Sequence, residues 1–261
     1  MITSFNGPMA TVQNLGLEIA RGRVQGVIPF GGVGRLIAAG AVTKNIIWGD
    51  GVFKFPNQTI GEDITFVSSN AADNVAGTGL GTIEVHYLDA NLDPQVTSIT
   101  LTGVTPVTGQ LSGVRFIQEM HVLTAGTASA AVGNISAYKA GTATEIYALI
   151  VAGQERESSS ARMVPNGKRA IIMGALGSSN SGTAAATTEI ELVATELDTH
   201  QYTSPFIFIS QGSIGAQDGG IGYNFPTPFI FKEGTIIAMR TTTDKGATIA
   251  GTWFGWLEGA V

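Results

Sequence analysis

The sequence predicts an all-β chain: two β-sandwich or jelly-roll-like halves preceded by an extended N-terminal arm. Three observations lead there. Short runs rich in Val, Ile and Thr recur at roughly 8–15-residue spacing, separated by Gly, Pro, Asn and Asp turn signals. Several of these runs alternate apolar and polar residues, the period of a strand with one buried face. Nowhere does an amphipathic pattern with capping signals persist for the 10–12 residues that a helix of ordinary length needs.

Residues 1–40 are punctuated by glycine and show neither period clearly; LGLEIARGRVQGVIPFGGVGRL allows a short helical turn around 16–20. Gly22, Gly26, Gly31, Gly32 and Gly34 weaken any longer helix, each by about 0.5–1 kcal/mol relative to alanine. The segment reads as an arm, apolar enough to need a surface to pack on. From residue 41 strands dominate: Val42–Trp48, Ile64–Ser68, Gly81–Leu88, Val96–Thr102, Val114–Thr124, Gly133–Ala137 and Glu145–Val151. The clearest alternation is Thr82-Ile83-Glu84-Val85-His86-Tyr87. It is followed by a turn at Asp89-Ala90-Asn91 and a Thr-rich return, Ser98–Thr102. Charge and serine cluster at Gln154–Ser160, which sets a boundary between a domain at 41–154 and a second at 155–261. The second half continues with Arg169–Leu176, Glu189–Ala194, Pro205–Ser210, Pro228–Phe231, Thr235–Thr241 and Ala247–Leu257. TIEVHYLDANLD at 82–93 and TEIELVATELD at 188–198 share a rhythm that hints at duplicated topology.

Composition narrows the function. The 261 residues are 44% hydrophobic and only 13% charged, which supports a sizeable core and argues against disorder. Net charge is −6, and each half carries 7 basic and 10 acidic residues. Neither offers the basic footprint that phosphate backbones require, so no direct nucleic-acid binding is expected. With no cysteine, thiolate chemistry, disulfides and Cys-based zinc sites are excluded. No apolar run approaches the ~20 residues of a membrane helix and no secretory signal pattern opens the chain, so a soluble protein without membrane contact is expected.

Motifs of chemistry are sparse. Gly77-Thr78-Gly79-Leu80-Gly81 invites a phosphate-loop reading, but it leads into a strand rather than a helix, no third glycine completes the dinucleotide pattern, and no Gly-Lys-Ser/Thr is present. It reads as a tolerant, exposed loop feeding a strand. Phe30-Gly31-Gly32 and Asp218-Gly219-Gly220 read as backbone bends. His86, His121 and His200 are far apart and form no HxH or HxxxH spacing. His86 reads as solvated and His121 as a satisfied polar group in a sheet, and no metal ligand is assigned. GxSxG is absent, so no catalytic residue is assigned either. Asp89 and Asp93 flank Asn91, but Pro94 stands where a calcium loop needs glycine and no Glu closes it; an Asx-stabilised turn is expected. Glu189 and Glu191 share one strand face, read as solvated. Aromatics gather late, at Phe206, Phe208, Phe225, Phe229, Phe231, Trp253, Phe254 and Trp256, and read mainly as core.

The order of several segments resembles a widespread group of tailed-phage virion structural proteins, common among marine phages. The segments are GDGVFKFPN (49–57), FVSSNAADNVAGTGLGTIEVHYLDANLDPQVTSITLTGVTPV (66–107) and VRFIQEMHVLTAGTASAAVGNI (114–135). ARMVPNGKRAIIM (161–173) and PFIFKEGTIIAMRTTT…ATIAGTWFGWLEG (228–259) come next, in the second half. Leu80 stands where that group has arginine, Phe55 where it has tryptophan, and Trp253-Phe254-Gly255-Trp256 replaces an acidic residue near its end.

The resemblance implies a non-enzymatic virion protein without cofactors, foremost a capsid-associated decoration or cement protein. It would be a homo-oligomer, expected as a trimer, in contact with other virion proteins such as the major capsid protein. Contact residues are expected at Arg21, Arg23 and Phe30 of the arm and at Trp253 and Trp256. Two alternatives stay open: a double jelly-roll major capsid subunit, or a tail-fibre receptor module reading host glycans through Tyr202, Tyr223 and Asn224.

Overall fold

The structure, a computed structural model, describes residues 18, 21, 23–49, 51–181, 187–195, 207–215 and 218–259. The arm residues 1–17, His200, Tyr202 and Phe206 lie outside the described residues. The fold is all-β, as the alternating runs predict, and the described residues form sixteen strands in four antiparallel sheets.

The first lobe is built from β3 (Glu62–Ser68), β4 (Leu80–Leu88), β5 (Pro94–Thr100), β6 (Val107–Val114), β7 (Phe116–Ala125), β8 (Ile135–Lys139) and β9 (Ile146–Ile150). They form a four-stranded sheet, β6-β3-β8-β9, and a three-stranded sheet, β5-β4-β7. Ile83 and Val85 of β4, Ile64 and Phe66 of β3, and Met120 of β7 are fully buried in the core between them. The polar half of the β4 alternation, Thr82, Glu84 and His86, faces outward.

The second lobe takes β1 (Ile28–Ala38) and β2 (Val42–Ile46) from before the first lobe. The rest comes from after it: β10 (Arg162–Met163), β11 (Lys168–Asn180), β12 (Thr187–Thr195), β13 (Ile207–Gly215), β14 (Asp218–Phe231), β15 (Ile236–Thr243) and β16 (Ala247–Gly259). One sheet runs β1-β16-β11-β14; the other runs β10-β15-β12-β13, with β2 also on β15. This corrects the expected boundaries. Residues 28–38 are no free arm but pair with β16 in unbroken register from Ile28↔Leu257 to Ala38↔Ala247. Residues 42–46, expected in the first domain, pair with β15 of the second lobe. The first lobe is thus inserted into the second.

The same pairing corrects the bend expected at Phe30-Gly31-Gly32, which lies mid-strand. The glycines serve close approach instead. A Cβ on Gly32 would stand 2.1 Å from the Ser160 carbonyl oxygen, and one on Gly34 would stand 2.1 Å from that of Ile47. Bare backbone here lets the returning chain lie against β1, where the Arg35 N–H donates to the Ser158 carbonyl at 3.1 Å. Asp218-Gly219-Gly220 is likewise strand, paired with Ser178–Asn180 of β11.

A third core joins the lobes: Trp48, Phe53, Phe55, Leu88, Phe116, Leu149, Met163, Val193 and Ile236, with neighbours. Trp48 and Phe53 meet edge to face at 5.4 Å, a geometry favoured by the ring quadrupoles. Across this seam the Gln118 side chain mimics a strand. Its amide donates to the Met163 carbonyl at 2.6 Å, and its oxygen accepts the Met163 N–H at 3.1 Å. Residues 155–157 add to the edge of β7, through the Val122 N–H to the Glu155 carbonyl and the Glu157 N–H to the Met120 carbonyl, both 2.9 Å. The boundary expected near Gln154–Ser160 is therefore a packed crossing, with Glu157, Ser159 and Ser160 buried.

Two further expectations meet the structure. The Asp89 turn forms as an Asx turn: Oδ1 accepts the N–H of Asn91 at 2.8 Å and of Asp93 at 3.0 Å. The face holding Glu191 is not solvated; Glu191 is buried and ion-paired with Arg240.

Candidate functional site

Two features of the surface bear on function. The first is the outer face of the sheet β1-β16-β11-β14. Cross-strand partners share a face of a sheet, so the register defines rows. One row is Val33, Thr252, Leu176 and Gly222; another is Pro29, Trp256, Ile171 and Ile230. Val33 is 62% exposed, Ile37 64%, Leu176 53%, Ile230 61% and Phe254 38%, so large apolar side chains stand in water on every strand of the sheet. Arg35 interrupts the face, and the Arg169–Glu258 ion pair lies at its rim. Isolated exposed apolar residues are ordinary; several on one sheet face make that face the candidate for contact.

Among the expected contact residues, Trp256 lies on this face, in the Pro29 row. Trp253 does not. It is fully buried, donates from Nε1 to the Ser160 carbonyl at 2.6 Å, and meets Phe30 edge to face at 5.2 Å. A side chain with no accessible surface has none to give a partner, so Trp253 is core, and Phe30 packs inward on it. Arg21 and Arg23 both hold Glu18, at 2.9 and 3.2 Å. Tyr223 and Asn224, expected on loop tips, lie within β14.

The second feature is a cluster on the outer face of the sheet β5-β4-β7. The triplet Glu84-Val85-His86 on β4 faces Glu119-Met120-His121 on β7, with Glu84 opposite His121 and His86 opposite Glu119. Glu84 Oε1 lies 2.7 Å from His86 Nε2 and 3.3 Å from His121 Nε2. The imidazole rings are 5.4 Å apart, and Glu119 Oε1 is 4.0 Å from His121 Nδ1. His86 and His121, read as unrelated from their separation of 35 positions, are spatial neighbours. The signal that could have found them was the repeated Glu-x-His triplet, since antiparallel pairing of two such triplets brings each carboxylate against an imidazole.

The role of the Gly77–Gly81 segment is local. It is a loop that enters β4, as expected, yet it is far from tolerant. A Cβ on Gly77 would stand 2.1 Å from the Ala72 carbonyl oxygen, and one on Gly79 would stand 2.0 Å from Asp73 Oδ1. Asp73 organises it: fully buried, its carboxylate accepts from the Ser68 hydroxyl at 2.6 Å and the Gly133 N–H at 2.8 Å. The N–H groups of Leu80 and Val132 donate to it at 2.9 Å each. Burial pushes this carboxyl up, but the Ser68 hydroxyl and the three backbone N–H groups outweigh it and hold Asp73 below the ordinary aspartate value.

No family model matches the chain, and no curated protein matches it. Among solved structures, that of the infectious bursal disease virus Gt strain aligns at 9% identity and a TM-score of 0.18, over 88% of this chain and 71% of that one. A likeness at that level carries no functional argument.

Proposed function

We propose that this chain is a non-enzymatic structural protein of a tailed-phage virion, a capsid-associated decoration or cement protein that works by contact. The observation that carries the reading is the apolar outer face of β1-β16-β11-β14, where Val33, Ile37, Leu176, Phe254 and Ile230 stand exposed on an all-β scaffold. The order of segments, which resembles that of phage structural proteins from GDGVFKFPN at 49–57 to the closing strands at 228–259, supports the same reading. Burying such a face against a second copy, in a trimer, and against the major capsid protein would remove apolar area from water. Each side chain so covered contributes roughly 1.5–3 kcal/mol.

The test is the molar mass in solution by light scattering across a concentration series, for the native chain and for the double variant Leu176→Glu, Ile230→Glu. The native chain is expected to run as a trimer. The variant is expected to run as a monomer with an unchanged circular dichroism spectrum, because both positions point outward. A native chain that stays monomeric at every concentration overturns the homo-oligomer. A density map of the particle then separates a decoration protein from a shell subunit by copy number and position.

A further inference from the structure

We infer that the paired Glu-x-His triplets of β4 and β7 form a binding site for a zinc-class divalent cation, with His86, His121 and Glu84 as ligands and Glu119 as the group that orients His121. This site is independent of the contact face.

Ligand atoms about 2.0–2.2 Å from a tetrahedral zinc ion stand roughly 3.4 Å from each other. Glu84 Oε1 already stands 2.7 and 3.3 Å from the two Nε2 atoms, and the three ligand atoms all lie within 4.8 Å of one another. Small side-chain rotations therefore close the site without moving the backbone. The backbone itself is fixed, because Val85 and Met120, the middle residues of the two triplets, are fully buried in the first core.

A metal-bound imidazole usually directs its other ring nitrogen at a carboxylate, which sets the tautomer and the ring plane. Glu119 occupies that place, 4.0 Å from His121 Nδ1. That nitrogen is inaccessible to solvent and has no hydrogen-bond partner, so a small turn of Glu119 toward it would complete the arrangement. Two imidazoles with one carboxylate suit zinc and its first-row neighbours; calcium and magnesium prefer oxygen-only shells. The two carboxylates of the cluster favour a cation there, and Arg156 neighbours it through a backbone bridge to His121. Three protein ligands leave a fourth position for water or a group from a neighbouring molecule.

The test is calorimetric titration of the chelator-treated protein with zinc chloride, beside magnesium chloride, with melting temperature as a second readout. The expected result is one zinc per chain, a raised melting temperature, and no magnesium binding. His86→Asn and His121→Asn should each lower zinc affinity at least tenfold while leaving the metal-free melting temperature near that of the native chain. Glu119→Gln should lower affinity by roughly 10–100-fold with stoichiometry preserved. Should His121→Asn prove unstable, His86→Asn at the more exposed position carries the test. Absence of zinc binding overturns the site, as does binding that His86→Asn leaves unchanged; the cluster is then a hydrogen-bonded surface group only.

Discussion

Replacing Asp73 by asparagine keeps the shape of the side chain and removes its charge, which isolates what the carboxylate does for the loop at 69–81. Four donors converge on it, two at each oxygen. In Asp73→Asn the least damaging orientation puts the new amide nitrogen where Oδ2 was. The Ser68 hydroxyl can turn to accept from it, but the Gly133 N–H then faces a donor. An orphaned buried N–H costs about 1–3 kcal/mol, and hydrogen bonds that drop from charged to neutral lose about 1 kcal/mol each. Against this, an amide is easier to bury than a carboxylate, so the net expectation is about 3 kcal/mol. Urea unfolding with a slope near 2 kcal/mol/M would show it as a midpoint lowered by about 1.5 M. The pH dependence gives an independent check. Asp73 is held below its unfolded value of about 3.9, so its contribution is complete above that pH and is lost as pH falls through the folded value. The gap between native and variant should stay constant from pH 7 to pH 5 and shrink below about pH 4. A variant within 0.5 kcal/mol of the native chain at pH 7, or a gap that persists unchanged in acid, would refute the reasoning.

Other outcomes concern the crossing between the lobes. Burial pushes the Glu157 carboxyl up to about 8, and Glu119 adds to this; Arg162 and a hydrogen bond with the Met120 backbone only partly oppose it. The folded state therefore holds a proton that the unfolded chain releases near pH 4.3, and stability falls as pH rises from about 4.3 to 8. Glu157→Gln should flatten that fall and melt higher than the native chain at pH 8, in melts recorded as a pH series; identical profiles would count against it. Trp253→Phe removes the donor to the Ser160 carbonyl and leaves a small void beside Phe30. The expected loss is about 2–4 kcal/mol by denaturant unfolding, and a change below 0.5 kcal/mol would contradict its place in the core.

The sequence made some elements plain and hid others for physical reasons. β4 was legible because Ile83 and Val85 alternate with Thr82, Glu84 and His86, so burial and hydropathy share one period. β1 also alternates, but its buried positions include Gly32 and Gly34 while Val33 and Ile37 point to water. That reverses the hydropathy pattern, so a strand looked like an arm. β6 carries no strand signal in the sequence, because TGQLSGV is mostly exposed and bends at Gly109 and Gly113, both at positive φ. The insertion of one lobe into the other could not be read locally, since it rests on pairing between residues near 30 and near 255. Of the expected contact residues, Trp256 lies on the outer face, whereas Trp253, three positions away, has the opposite strand parity and points inward. The histidine cluster was hidden because a register, not a spacing, brings its two halves together.

The pairing of β1 with β16 has a consequence for timing. The apolar face needs both strands, and some two hundred residues of chain separate them. During synthesis β1 must wait for its neighbour while the whole inserted lobe, whose described strands form two sheets of their own, is made and can fold. The surface proposed for assembly therefore does not exist until β16 is laid in place between β1 and β11. A growing chain that has not yet reached β16 has no finished apolar face to offer a neighbour.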